Sequence, residues 1–276
     1  MYWFSRKKKE SPPLNGLILP GGGARNAYQA GVLKALAEIL PENSPNPFPV
    51  ISGTSSGALN AAILASNATQ FTEGVARMMG IWENFHCGKI FNVDTWTALK
   101  SGLSWTSSFA TAGLGRAAPR ALLDNTPQRE FIESHIRLAR IQHAIDTGAL
   151  RALSVTASSY SSGLSFSYFQ GVEGLRPWQR TRREGVAEEI TIDHLMASSA
   201  IPLVCPAVWL NDEYHGDGSM RESAPLSPAI HLGADRLLII GVRNPALDPR
   251  PSADEDVPYP TIGQITGYML DTLFMD

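Results

Sequence analysis

The chain has 276 residues, 43% of them hydrophobic and 18% charged, with a formal net charge of −3. That much apolar material can bury a substantial core in one α/β unit, and the slight negative charge supplies no positive field to attract nucleic acid. Cys87 and Cys205 lie far apart, and six histidines are scattered without an HExxH-like spacing, which argues against a disulfide framework or a metal enzyme, so no cofactor is expected.

The N-terminus, Met1-Tyr2-Trp3-Phe4-Ser5-Arg6-Lys7-Lys8-Lys9, places its apolar residues before its charges, the wrong order for a signal peptide. Aromatics beside a basic cluster suit an anionic membrane surface, and a solvated tail is the plainer reading. Leu14 to Leu19 reads as a short buried strand, broken by Pro20-Gly21-Gly22-Gly23, and Asn26 to Leu40 carries apolar residues at helical spacing. Four prolines mark Pro41 to Pro49 as loop; Phe48 to Ser52 is apolar again, Gly53 to Gly57 is a tight turn, and Ala58 to Ser66 is a helix of small residues. The first 66 residues therefore alternate strand and helix, which predicts a parallel sheet covered by helices.

Thr69 to Phe85 reads as an amphipathic helix. Lys89 to Pro119, rich in Ser, Thr, Gly, Ala and Trp, reads as an insertion over the sheet, and Trp96, Trp105 and Phe109 within it suit either a lipid-facing cover or core packing. Thr126 and Pro127 predict the N-cap and first position of a helix running to about Ile145. Ala152 to Ser158 and Leu164 to Phe169 are strand-like around Ser161-Ser162-Gly163; Thr191 to Ser199 fits a short helix and Val204 to Leu210 a strand. Arg236 to Val242 reads as the clearest buried strand of the C-terminal half. Asn244 to Pro260 is Pro- and Asp-rich loop, and no stretch reaches the roughly 20 apolar residues that span a bilayer.

Three features carry chemistry. Gly53-Thr54-Ser55-Ser56-Gly57 is a G-x-S-x-G pentapeptide between a predicted strand and helix, the context of a nucleophile elbow, where Ser55 meets the positive end of the helix dipole. Gly21-Gly22-Gly23-Ala24-Arg25 offers a row of unencumbered N–H groups for an oxyanion or phosphate. It fails as a P-loop, since Arg25-Asn26-Ala27 stands where Gly-Lys-Ser/Thr is needed. It fails as a dinucleotide fingerprint too, since Asn26 replaces the third glycine and Glu42 lies in a proline-rich loop. An oxyanion hole preceding the nucleophile fits better. Asp217-Gly218-Ser219 is by itself an ordinary turn, and gains weight because a serine nucleophile needs a base.

These blocks together resemble the patatin-like phospholipase family. Gly21-Gly22-Gly23-Ala24-Arg25 with Tyr28-Gln29-Ala30-Gly31-Val32-Leu33 is similar to its Gly-rich block, and Gly53-Thr54-Ser55-Ser56-Gly57-Ala58-Leu59-Asn60-Ala61 to its nucleophile block. Ala197-Ser198-Ser199-Ala200-Ile201-Pro202, then Pro206-Ala207-Val208, resembles its Ala-Ser-x-Ala-x-Pro block, and Asp217-Gly218 its Asp-Gly motif. The resemblance implies a three-layer α/β/α fold with a central, mainly parallel sheet, and a lipid acyl hydrolase working through a Ser55–Asp217 dyad. Gly21, Gly22 and Gly23 would form the oxyanion hole, with Arg25, Gly53, Gly57 and Gly218 in support. An ordinary aspartate, with a pKa of about 3.9, is a poor base, so the dyad requires a setting that raises it or an oxyanion hole that carries most of the stabilisation. Two residues depart from the family pattern: Asn26, where Gly is frequent, and Ser219, whose hydroxyl could bond the carboxylate and lower its basicity.

The expected organisation is a flexible basic segment over residues 1–13, a patatin-like domain over 14–245, and a loop with the start of a helical segment over 246–276 that looks truncated. Arg25 fits a surface or interlayer salt bridge better than a loop-orienting role, and His215 reads as structural. The alternatives are a Ser55–Asp217–His231 triad esterase and a catalytically silent lipid-binding module. Expected partners are a lipid ester and, transiently, a membrane surface, in a cytoplasmic or peripheral-membrane protein.

Overall fold

The computed structural model describes residues 12–41, 44–92, 121–221, 225–242, 259–261, 263, 265 and 267. The basic N-terminal segment, Trp96, Trp105 and Phe109, and most of the Pro/Asp-rich stretch lie outside these residues.

The chain opens with β1 (Asn15–Leu19), a 3₁₀ turn (Gly23–Asn26), α1 (Ala27–Ile39), β2 (Val50–Thr54), α2 (Ser56–Ser66) and α3 (Phe71–Glu83). Then follow α4 (Thr126–His135), α5 (Ala139–Asp146), β3 (Ala152–Ser159), β4 (Ser165–Gly171), β5 (Trp178–Arg180) and β6 (Arg183–Ala187). The described chain is completed by α6 (Ile192–Ser198), β7 (Val208–Leu210), β8 (Glu213–Asp217), α7 (Ser227–His231) and β9 (Arg236–Ile239).

The sheet runs β5-β6-β4-β3-β2-β1-β9, with β7 and β8 forming a hairpin attached to β3. Its centre, β3-β2-β1-β9, is wholly parallel, and β4 and β8 add to β3 antiparallel. The chain steps from β1 to β2 to β3 in one direction and later returns to the far side of β1 as β9. With right-handed crossovers, that reversal puts the connecting helices on opposite faces and opens a crevice at the carboxyl ends of the strands.

The side chains obey this arrangement. Leu17, Leu19, Ile51, Leu153 and Val155 point into a large core with α1 to α6, whereas the alternating Ile18, Val50, Ala152 and Phe169 meet Ala229 and Leu232 of α7 and its following turn. Helices thus cover both faces, as the three-layer expectation required. Nine of the eleven residues of α2 are buried, which explains its small-residue composition: it is roofed by its neighbours and has no solvent stripe. Among the described residues no helix is long and apolar enough to cross a membrane.

Several local expectations need correction. The helix predicted from Thr126 to Ile145 is two helices, because Ile136 is extended (φ −110°, ψ 116°). Thr126 is a helical residue rather than the cap, its N–H donating to Asp124 Oδ1 at 2.9 Å. The strand predicted from Val204 begins only at Val208. The apolar run Arg236 to Val242 yields an edge strand, not a buried one: Leu238 and Ile239 are 38% and 47% exposed. Hydrophobic composition signals a strand but does not count the layers over it.

Candidate active site

The register of β3 builds the site. Along one edge of β3, β2 pairs up to Thr54↔Thr156; the next residue, Ala157, pairs with Asp217 of β8. The opposite edge is occupied by β4 over residues 152–158, so β2 and β8 meet end to end on the same edge. One residue along a strand is about 3.3 Å. Ser55, just past the end of β2, therefore falls beside Asp217, and its hydroxyl donates to Asp217 Oδ2 at 2.6 Å. Gly218 permits the junction, because a Cβ there would lie 2.3 Å from the Thr156 carbonyl oxygen.

The predicted five-residue turn contracts to Ser55 itself, with Gly53 and Thr54 still in β2 and Ser56 already in α2. Ser55 sits at φ 55°, ψ −132°, a region that disfavours L-residues and typically costs about 1–3 kcal/mol. Both motif glycines have steric reasons. A Cβ on Gly53 would stand 2.5 Å from the Gly57 carbonyl oxygen, and one on Gly57 would stand 2.0 Å from the Leu19 carbonyl oxygen. These contacts press the start of α2 against the ends of β1 and β2.

Asp217 is fully enclosed, and its burial pushes the carboxyl up to about 6, against hydrogen bonds from Ser55 and Ser219 that favour the ionised form. The Ser219 N–H donates to Oδ1 at 2.9 Å. The Ser219 hydroxyl is near enough to favour the carboxylate weakly. It is buried without a hydrogen-bond partner of normal geometry, so we assign the restraint chiefly to the amide.

The Gly loop passes over the same point. Gly21 is wedged between the Ser219 hydroxyl and Ser55 Cβ: a Cβ on it would lie 2.4 Å from the first and 3.0 Å from the second. Gly23 (φ 57°) opens the 3₁₀ turn, whose leading N–H groups have no acceptor within the turn itself. Arg25 is exposed, and its Nε reaches the Gly22 carbonyl at 3.5 Å, a contact within the loop. Asn26 braces the loop as a glycine could not. Its Nδ2 donates to the Pro20 carbonyl at 3.0 Å and to Ser56 Oγ at 2.7 Å. Asn60 extends the brace, donating to Gln29 Oε1 at 3.0 Å and accepting from Trp82 Nε1 at 2.9 Å.

Beside this polar centre lies an apolar cavity of about 260 Å³. Leu59, Ile63, Trp82, Phe85, Phe131 and Ile201 are among the residues that line it, and Gly23, Ala24, Ser55 and Ser56 form part of its wall.

Neither candidate histidine joins the pair. His215, next but one to Asp217 on β8, turns its Nδ1 to the Glu213 carbonyl at 3.1 Å and its Nε2 to the Tyr168 hydroxyl at 2.9 Å. His231 belongs to the α7 face of the sheet and stacks on Trp178 at 4.7 Å. The triad arrangement is absent, because Asp217 contacts Ser55 directly.

Sequence reasoning missed two parts of the site. One is β8, the strand that carries Asp217. Its signal was Asn211-Asp212, both at positive φ, which make the two-residue turn of the β7–β8 hairpin. The other is Ser198, which was noticed only as part of a resemblance and whose hydroxyl accepts the Ser55 N–H at 2.9 Å.

A family model described as patatin-like phospholipase matches residues 17–230. A 53-residue stretch is 49% identical to lysophospholipase nte1 of Aspergillus terreus, covering 19% of this chain and 3% of that protein. Among solved structures, VipD from Legionella pneumophila resembles 83% of this chain over 50% of its own, at 15% identity and a TM-score of 0.49. The type III effector protein ExoU resembles 83% of this chain over 43% of its own, at 16% identity and a TM-score of 0.39. The chain therefore spans at most half the length of these relatives.

Proposed function

Because this chain belongs to the patatin-like phospholipase family, we propose that it hydrolyses carboxylic esters of lipids, with Ser55 as nucleophile and Asp217 as base. The observation that carries the reading is the 2.6 Å Ser55–Asp217 hydrogen bond at the wall of an apolar cavity. Ser55 Oγ attacks the ester carbonyl carbon while its proton passes to Asp217 Oδ2. The developing oxyanion is received by N–H groups of the Gly21–Gly23 loop, each such donor being worth roughly 10²–10³ in rate in other hydrolases. Collapse of the tetrahedral adduct expels the alcohol, which takes the proton back from Asp217. Water then attacks the acyl carbon and gives a proton to Asp217, and collapse of this second adduct releases the fatty acid as Ser55 Oγ takes that proton back. The elevated carboxyl of Asp217 supports this role, since a base poised near 6 is a far better acceptor at neutrality than an ordinary aspartate.

The apolar cavity supports an acyl chain as the group bound beside Ser55, at about 0.8 kcal/mol for each methylene buried. The β7–β8 hairpin supports a peripheral encounter with a lipid surface. Trp209 and Tyr214 face each other across it at 4.7 Å, Tyr160 lies over Gly216, and all three are about half exposed. Amphipathic rings of this kind favour a lipid–water boundary.

The test is fatty-acid release from a panel of lysophospholipids, phospholipids and acylglycerols, together with fluorophosphonate labelling. Wild type should release acid and label at Ser55, and Ser55→Ala should do neither. Undiminished hydrolysis by Ser55→Ala would overturn the reading.

A further inference from the structure

We infer that Ser198 is a positioning residue of the reaction, holding the backbone of the nucleophile in its strained turn and withdrawing the Ser55 N–H from any part in the oxyanion hole. The inference rests on the reading of Ser55 as nucleophile and adds a residue to which that reading gave no role.

Ser198, the last residue of α6, is completely buried. Its hydroxyl donates to the Thr156 carbonyl at 2.6 Å and accepts from the Ser55 N–H at 2.9 Å. A serine hydroxyl has one proton, and giving it to Thr156 turns the oxygen's lone pairs towards Ser55. Thr156 is the β3 partner of Thr54, the last paired residue of β2. The hydroxyl therefore stands where the next rung of the parallel ladder would form, and replaces a direct backbone bond with a bridge. That substitution lets Ser55 leave the strand at φ 55° without orphaning its buried N–H.

Two residues further on, the Ala200 carbonyl accepts the Asp217 N–H at 2.9 Å. A single short segment, Ser198 to Ala200, thus grips the backbones of both members of the dyad. Ser55 is restrained at every polar atom: N–H to Ser198, hydroxyl to Asp217, and carbonyl to the Ala58 N–H at 2.9 Å. With its amide committed, the N–H groups left to meet an oxyanion are those of the Gly loop and of the first residues of α2.

The test compares Ser198→Ala and the near-isosteric Ser198→Cys, whose thiol is a weak acceptor, with Ser66→Ala, a buried serine at the far end of α2. Steady-state kinetics on a soluble ester, fluorophosphonate labelling rates and melting temperatures are measured on the full chain. Loss of the bridge should lower kcat and the labelling rate on the order of 10- to 100-fold, the penalty for a reacting group misplaced by about an ångström. KM should stay within about twofold, since the hydroxyl touches no substrate-lining side chain. The pH midpoint set by Asp217 should not move, because Ser198 makes no contact with the carboxylate. Ser66→Ala should keep wild-type kcat. If Ser198→Ala does not fold, Ser198→Cys decides. A folded Ser198→Cys with wild-type kcat, or a rate loss accompanied by a displaced pH midpoint, overturns the inference. Failure of the parent reading looks different: Ser55→Ala would then retain activity whatever Ser198 does.

Discussion

The Ser55 hydroxyl has two unlike surroundings. On one side are Asp217, Ser198, Ser219 and Gly21, packed so closely that a single added methyl on Gly21 would lie 2.4 Å from its neighbour. On the other is open apolar volume walled by Leu59, Trp82 and Phe131. The first side is built from backbone register and buried hydrogen bonds, which admit one geometry; the second chiefly from apolar side chains, which can be exchanged at similar volume for modest energies. The contrast teaches a division of labour. Changes on the polar side should alter the chemical step, and changes on the apolar side should alter which acyl chain is accepted.

The severest way to break that division is Asp217→Asn, which keeps the shape and removes the proposed base. A loss of kcat on the order of 10³–10⁴ is expected, comparable to amide replacement in a serine-protease triad. The same variant should not be less stable. Burial raises the carboxyl from 3.8 to about 6, so the folded chain binds the proton more tightly than the unfolded chain does. Stability contributed by this group is therefore present at low pH and lost as pH climbs through that interval, leaving ionised Asp217 a liability on the order of a few kcal/mol at pH 8. Melting curves should show Asp217→Asn equal to or above wild type at pH 8, the gap closing towards pH 4. In the wild type kcat should fall as pH drops through about 6, the form able to accept a proton being lost.

Next in size is Gly21→Ala, whose methyl would displace the loop from Ser55. The expected loss is roughly 10²-fold in kcat with KM little changed, the signature of a missing oxyanion donor, read from steady-state kinetics. The apolar side should answer differently. Leu59→Trp should leave short-chain ester hydrolysis intact and weaken long chains, with each excluded methylene worth about fourfold in kcat/KM, from about 0.8 kcal/mol apiece. A uniform loss across chain lengths would break the comparison. The smallest effect belongs to the hairpin: Trp209→Ser with Tyr214→Ser should lower hydrolysis of vesicle-borne lipid roughly three- to tenfold, about 1 kcal/mol, while sparing a soluble ester.

Much of this was legible beforehand, for identifiable reasons. β1, β2, α1 and the elbow follow from local grammar: Gly53 answers to steric contacts within the motif, and Gly57, whose own contact is with the β1 backbone, completes a recognisable spacing. Asp217 was legible only through its company, because an Asp-Gly pair is usually a turn. Its strand went unseen because Tyr214, His215 and Gly216 lack an apolar alternation; they are held by β3 and by the Asn211-Asp212 turn. Ser198 was opaque. Nothing local distinguishes it from Ser199, whose hydroxyl donates to its own helix at the Leu195 carbonyl, 2.7 Å away. Only the pairing of strands distant in sequence puts one serine against the Ser55 amide and leaves the other in its helix.

That long-range pairing also sets when the molecule becomes competent. The hydroxyl and carboxylate of the dyad are 162 residues apart in sequence. A chain emerging from the ribosome therefore carries its serine for a further 162 residues before its acid partner exists, and α6 and β8 must dock on β3 before either is held. Any fragment ending short of position 213 lacks the carboxylate that accepts the Ser55 hydroxyl, and so lacks the base the proposed reaction requires.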